Sequence, residues 1–204
     1  MLRSMIRRNP SLDLFIEIFR PRLKAIKGDL QSIHDQYKMP QGANTTALDL
    51  GCGLEPMNRF GASQAYGVDL YENTEKNILK CRLGFEKIPF PDNSVDYLTA
   101  YDLLEHIPRY SDMREIRHTP FIFLMNETYR VLRKGGKFVS STPIYPYLES
   151  FQDPTHSNIM TTSTFEYYFS QNKIELAKHY GITTEYEILY QGMMGPHLIA
   201  VLQK

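Results

Sequence analysis

This chain predicts an α/β fold built on a mostly parallel, doubly wound sheet. Three observations carry that expectation. Beyond Gly42, apolar runs of strand length alternate with amphipathic helical stretches. Turn-forming residues precede strands, as in Pro91-Asp92-Asn93-Ser94 and Lys134-Gly135-Gly136-Lys137. The last two apolar runs are joined through Gly192-Met193-Met194-Gly195-Pro196, which predicts a hairpin and an antiparallel edge.

The elements follow in chain order. Ser11 is a fitting N-cap for a short helix carrying Leu12, Phe15, Ile16 and Phe19, and Pro21 suits the first turn of the next. Phe19, Leu23, Ile26, Leu30, Ile33 and Tyr37 form a helical stripe, interrupted by Gly28. This N-terminal helical extension, residues 1–40, reads as a cover over a cleft in a core spanning 44–204, all in one domain. A homodimer seam is the alternative use of the stripe. Strands are expected at 46–50, 65–70, 79–83, 95–101, 136–142, 184–191 and 197–203, and helices at 120–133 and 162–178.

Composition narrows the function classes. The chain has 204 residues, enough for one α/β domain with a substantial core. Lys+Arg and Asp+Glu are both 23, so no net charge draws it to nucleic acid. The 2 cysteines, Cys52 and Cys81, make no disulfide framework, which fits a cytoplasmic protein. No apolar run approaches a membrane span. Met1 to Arg8 reads as an ordinary basic N-terminus rather than a transit peptide.

The chemistry begins at Thr46-Ala47-Leu48-Asp49-Leu50-Gly51-Cys52-Gly53. A buried strand there runs into a glycine loop, where backbone can approach a ligand closely. Ala65-Tyr66-Gly67-Val68-Asp69-Leu70 reads as a second strand ending in a carboxylate, which can accept from both hydroxyls of a ribose. Together they point to a nucleoside-containing cofactor at the C-terminal edge of a parallel sheet.

Three segments resemble the class I methyltransferases that use S-adenosylmethionine, of the methyltransferase type 11 kind. Leu48 to Gly53 is similar to the family's glycine motif. Ile88-Pro89-Phe90-Pro91-Asp92-Asn93-Ser94-Val95-Asp96-Tyr97 is similar to the approach to its fourth strand. Asn126-Glu127-Thr128-Tyr129-Arg130-Val131-Leu132-Arg133-Lys134-Gly135-Gly136 is similar to the helix and turn before its fifth. The resemblance covers residues 45 to 145 well. It implies a Rossmann-like sheet of seven strands with the last antiparallel, and S-adenosylmethionine as cofactor. It implies that Asp49, Gly51, Cys52 and Gly53 serve the methionine part, Asp69 the ribose and Leu70 the adenine. The end of the fourth strand, with Tyr101 and Leu103, then faces the sulfonium.

The departures are informative. Glu55 stands where the family often has glycine, and Pro56 breaks the third position of a nicotinamide pattern. The 10 residues between Gly53 and Gln64 hardly hold a helix. A pyrophosphate needs that helix N-terminus and S-adenosylmethionine does not, so the shortening disfavours a dehydrogenase. Arg59 reads as a surface arginine, with the methionine carboxylate as its alternative partner. Gly84-Phe85 replaces an acid for the adenine amino group, leaving Glu86 or backbone to substitute.

Methyl transfer to oxygen needs a proton acceptor. The candidates are His106, Glu105 and His156, the first two in Tyr101-Asp102-Leu103-Leu104-Glu105-His106 and the third in the loop after the fifth strand. Asp102-x-x-Glu105-His106 is also similar to a metal-holding segment of ubiquinone-pathway and small-RNA methyltransferases, which would make His156 a fourth ligand of a divalent metal. The remaining alternative is that Glu105 and His106 make ordinary hydrogen bonds at a helix end. His34, His118, His179 and His197 read as surface or core residues. Tyr145 and Tyr147 are candidates for a substrate wall, while Phe165, Tyr168 and Phe169 have the spacing of core. Arg109 to Thr119 reads as a mobile lid or a solvated connection. Phe151-Gln152-Asp153-Pro154-Thr155-His156 resembles methyltransferases of glycan biosynthesis. The expected activity is therefore O-methylation of a small molecule or glycan precursor. A nucleic-acid methyltransferase and a non-catalytic S-adenosylmethionine-binding module are the alternatives.

Overall fold

The computed structural model describes residues 29–39, 44–113 and 116–204. Seven strands form the main sheet: β1 (Thr46–Leu50), β2 (Gln64–Asp69), β3 (Ile78–Lys80), β4 (Val95–Tyr101), β7 (Leu132–Pro143), β8 (Glu187–Met194) and β9 (His197–Gln203). Their order is β3-β2-β1-β4-β7-β9-β8. The first five are parallel, and β9 runs antiparallel to both of its neighbours. Two short strands, β5 (Ser111–Met113) and β6 (Ile116–His118), pair as a separate hairpin. Both strands fall within the lid candidate, Arg109 to Thr119.

Alternation along each strand explains the two-sided packing. In β9, Leu198, Ala200 and Leu202 face the larger core, while Ile199 and Val201 face the smaller one. In β7, Phe138 and Val139 divide the same way. A period of two places successive side chains on opposite faces, and both faces here are covered. α2 (Pro120–Val131) covers the larger face with Phe121, Leu124, Met125 and Val131. Pro120 opens it at the first turn, where a missing N–H costs nothing. The short α1 (Leu30–Gln36) covers the other face, and Asp29 caps it by accepting from the Ser32 N–H at 2.9 Å. The earlier helices expected before Gly28 lie outside the described residues. No helix among the described residues is long and apolar enough to cross a membrane.

Two expectations need correction, the extent of the hairpin turn and the helix over 162–178. The hairpin turn is only Gly195-Pro196, since Gly192 to Met194 belong to β8. As expected, the last two strands form an antiparallel hairpin at the edge of the sheet, with β9 inserted between β7 and β8 and β8 forming the rim. The helix expected over 162–178 is broken into α4 (Thr164–Tyr168) and a 3-10 turn (Glu175–Tyr180); the remaining helix, α3 (Glu149–Gln152), precedes both. The cause of the break is local. The Ser170 hydroxyl donates to the Glu166 carbonyl and accepts from the Asn172 N–H, and Ser170 bridges to Tyr186.

Candidate active site

The glycine loop leaves β1 on the C-terminal edge of the sheet. Gly51 and Gly53 both have positive φ, at 66° and 59°. A Cβ on Gly51 would come within 2.8 Å of Leu103 Cδ1, so the loop closes against Leu103, two residues past β4, only because that atom is missing. The Gly51 N–H donates to the Val68 carbonyl at 2.8 Å, and the Gly53 N–H donates to Asp69 Oδ2 at 2.8 Å. Asp69 Oδ1 accepts from Leu70 N at 2.6 Å. The carboxylate therefore sits at the tip of β2, tied to the cradle, with acceptor capacity remaining on both oxygens. Leu70 is exposed beside it. Cys52 turns its thiol inward, and burial pushes that thiol up to about 11, so only its backbone faces the cradle.

Asp49 reaches the cradle indirectly. It is 2% exposed, its Oδ2 accepts from the Met57 N–H at 2.9 Å and its Oδ1 from the Thr99 hydroxyl at 2.6 Å. Desolvation pushes its carboxyl up to about 6. It braces the link after the glycine loop rather than presenting a carboxylate to a ligand. That link contains no helix, as the sequence predicts. Asn58 closes it with two bonds to the Ala62 backbone. Glu86 is likewise occupied, accepting from the Arg82 N–H at 2.7 Å.

Tyr101 ends β4 with its hydroxyl 2.5 Å from His34 Nε2. His34 Nδ1 lies 2.6 Å from the Leu30 carbonyl, which can only accept, so Nδ1 carries the proton and Nε2 accepts from Tyr101. His34 is thus a fully buried clasp between α1 and the site, and desolvation holds its imidazole below the ordinary value.

Past β4 the chain turns sharply at Asp102, whose φ is 46°. Its carboxylate reaches His197 Nε2 at 2.9 Å, across the end of β7. His197 has no signal in its own neighbourhood of the sequence; it meets Asp102 because β9 inserts beside β7. The Asp102 carboxylate holds the His197 imidazole above the ordinary value, against the effect of burial.

A 3-10 turn, Leu104–His106, follows. It brings Glu105, His106 and His156 together, their ligand-capable atoms all within 4.8 Å. The rings of His106 and His156 meet edge to face at 4.8 Å. Glu105 is buried and its Oε2 accepts from the Thr142 hydroxyl at 2.6 Å. Desolvation raises its carboxyl. Its backbone carbonyl accepts from Ser157 and Asn158, which pins the His156 loop onto the turn. The four-donor metal set does not assemble, because Asp102 is paired with His197 and stands outside the cluster. Glu105, His106 and His156 by themselves remain a three-ligand group that could hold a divalent metal.

Tyr145 is exposed and meets Phe151 edge to face at 6.4 Å, whereas Tyr147 packs against the core. Phe165 and Phe169 are buried. One feature had no sequence signal: a cavity of about 500 Å³ at the N-terminus of α2, lined by Arg109, Phe121, Tyr168, Phe169, Tyr180 and Ile182.

Comparisons with known proteins agree with this geometry. Residues 48–140 match the family described as "Methyltransferase domain". Over 124 residues the chain is 30% identical to a demethylmenaquinone methyltransferase from Geobacillus sp. (strain WCH70), covering 52% of this chain and 48% of that protein. The chain therefore spans about half the length of that curated relative. A solved S-adenosylmethionine-dependent methyltransferase from Mesorhizobium loti superposes with a TM-score of 0.57 at 16% identity, over 85% of this chain and 96% of that one. One from Archaeoglobus fulgidus gives 0.52 at 16% identity, over 95% and 99%. At such identities the structures bear on the fold, and the glycine cradle and matched segment carry the rest. Residues 48–140 thus carry a match to the methyltransferase domain, on a fold shared with solved S-adenosylmethionine-dependent methyltransferases.

Proposed function

We propose that this protein transfers the methyl group of S-adenosylmethionine to an oxygen of a small hydroxylated molecule or glycan precursor, with His106 Nε2 taking the proton. One observation carries the assignment of the base. The Thr155 hydroxyl donates its single proton to Asp153 Oδ1 at 2.7 Å. Its oxygen is 2.9 Å from His106 Nδ1 and can then only accept. So Nδ1 carries the proton and Nε2 keeps its lone pair, which is the tautomer a general base needs.

The chain's other residues frame the step. Gly51 and Gly53 hold the methionine part through backbone, and Asp69 holds the ribose. When bound, S-adenosylmethionine would supply the electrophilic methyl, and His106 Nε2 would take the proton of the acceptor hydroxyl. The protein's contribution is position and dryness, since the cofactor supplies the electrophile. Exposed Tyr145 and Phe151 offer aromatic faces for an acceptor. The partial likeness to a protein named for demethylmenaquinone supports an acceptor other than nucleic acid, as does the zero net charge.

The test is transfer of labelled methyl to a panel of phenols, catechols and sugars. His106→Ala should lower turnover roughly 10²- to 10⁴-fold and leave cofactor affinity within a few-fold. A chelator should leave turnover intact. Equal turnover in the variant would remove His106 as base. A panel with no product, from protein that binds the cofactor, would overturn the small-molecule reading.

A further inference from the structure

Arg59 is not an open surface residue. The link from Leu54 to Ser63 folds back through Asn58 and Ala62, and Met57 is tied to Asp49. This carries the Arg59 guanidinium over the Tyr101 ring, with its carbon 5.5 Å from the ring centroid. Tyr101 ends β4, and Leu103, two residues on, closes against Gly51. The Arg59 backbone is held in place from α1, where Gln31 Nε2 donates to its carbonyl at 2.8 Å.

Among the described residues the side chain makes few polar contacts. Its Nε is buried and has no hydrogen-bond partner. One terminal nitrogen reaches only the Met57 thioether, at 3.5 Å. No ion pair among the described residues includes Arg59. Asp49 is near enough to feel its charge but forms no ion pair with it. A guanidinium N–H removed from water and left unpaired is costly, and a planar fork of donors matches a carboxylate.

The site's own geometry names the missing anion. Asp69 marks the ribose on β2, and the cradle Gly51–Gly53 follows β1. A ligand held by its ribose at Asp69 and crossing the cradle would extend toward the end of β4, where Arg59 lies over Tyr101. S-adenosylmethionine ends there in an amino acid, with one carboxylate. We infer that Arg59 is the positioning residue that takes this carboxylate, making the site selective for the amino-acid-bearing cofactor over forms that lack the carboxylate. The inference rests on the cofactor reading and extends it to a residue and a specificity.

The experiment is calorimetric titration of the wild type and Arg59→Gln with S-adenosylhomocysteine and with 5′-methylthioadenosine, which lacks the amino-acid part. Circular dichroism checks that both proteins fold. Arg59→Gln should weaken S-adenosylhomocysteine roughly 10- to 100-fold and leave methylthioadenosine within about two-fold. Arg59→Lys should recover part of the loss. Equal weakening of both ligands would make Arg59 a structural brace, and no weakening of either would remove it from the site; each overturns the inference alone. A wild type that binds neither ligand would instead sink the cofactor reading itself.

Discussion

Asp69→Ala tests the cofactor grip most directly. In the structure its Oδ2 accepts from the Gly53 N–H at 2.8 Å and its Oδ1 from Leu70 N at 2.6 Å. The proposed ribose hydroxyls add to the same two oxygens. A hydrogen bond to a charged group contributes roughly 1.5–3 kcal/mol. Asp69 is only half-buried, so water competes, and about 2–3 kcal/mol for the pair is the sensible total. That corresponds to roughly a 30- to 150-fold rise in Kd. The Gly53 N–H also loses its partner, which loosens the cradle in the same direction. The assay is calorimetry with S-adenosylhomocysteine at fixed salt, beside a thermal melt showing the variant folded. Asp69→Asn keeps one acceptor for Gly53 and should fall between. A folded Asp69→Ala protein with Kd within about three-fold of wild type would refute the ribose role.

Two further outcomes follow from backbone and charge. Gly51→Ala must carry a φ of 66° and press Leu103, so it should lose roughly 2 kcal/mol and about 4–8 °C in Tm. Gly53→Ala has nothing within 4 Å of its new Cβ and should lose only the backbone part; equal Tm shifts would reject the Leu103 contact. His197 is held above its ordinary 6.5 by Asp102, with Glu105 and Glu149 acting the same way and burial opposing them. A raised folded value means this contribution to stability is complete below about pH 6.5 and lost as pH rises through the raised value. An imidazole NMR titration should place His197 above 6.5 in the wild type and lower in Asp102→Asn; an unchanged titration would contradict the pairing.

How much was legible in the chain depends on the range of the interaction. β1, β4 and β9 matched their expected bounds because an alternating or continuous apolar run is local and each run is buried as a unit. The glycine cradle was legible because positive φ is a property of single residues. The 162–178 segment was misread because Ser170 and Asn172 compete for backbone bonds that a hydrophobic pattern does not reveal. The Thr155–His106 contact needs residues 49 apart in the chain, and its consequence for the tautomer needs the direction of one hydroxyl.

Residue order alone determined the αβ alternation, the bare loop after β1, the acid at the end of β2 and the missing helix between them. Each follows from steric and hydrophobic rules acting within about ten residues. Tertiary structure decided which carboxylate faces which imidazole. Inserting β9 between β7 and β8 brought His197 to Asp102 and took that acid out of the Glu105 cluster. Folding the short link back under α1 left Arg59 beside Tyr101 with its Nε unpaired. Charges act through space over a few ångströms, and only the packed sheet sets which groups come that close.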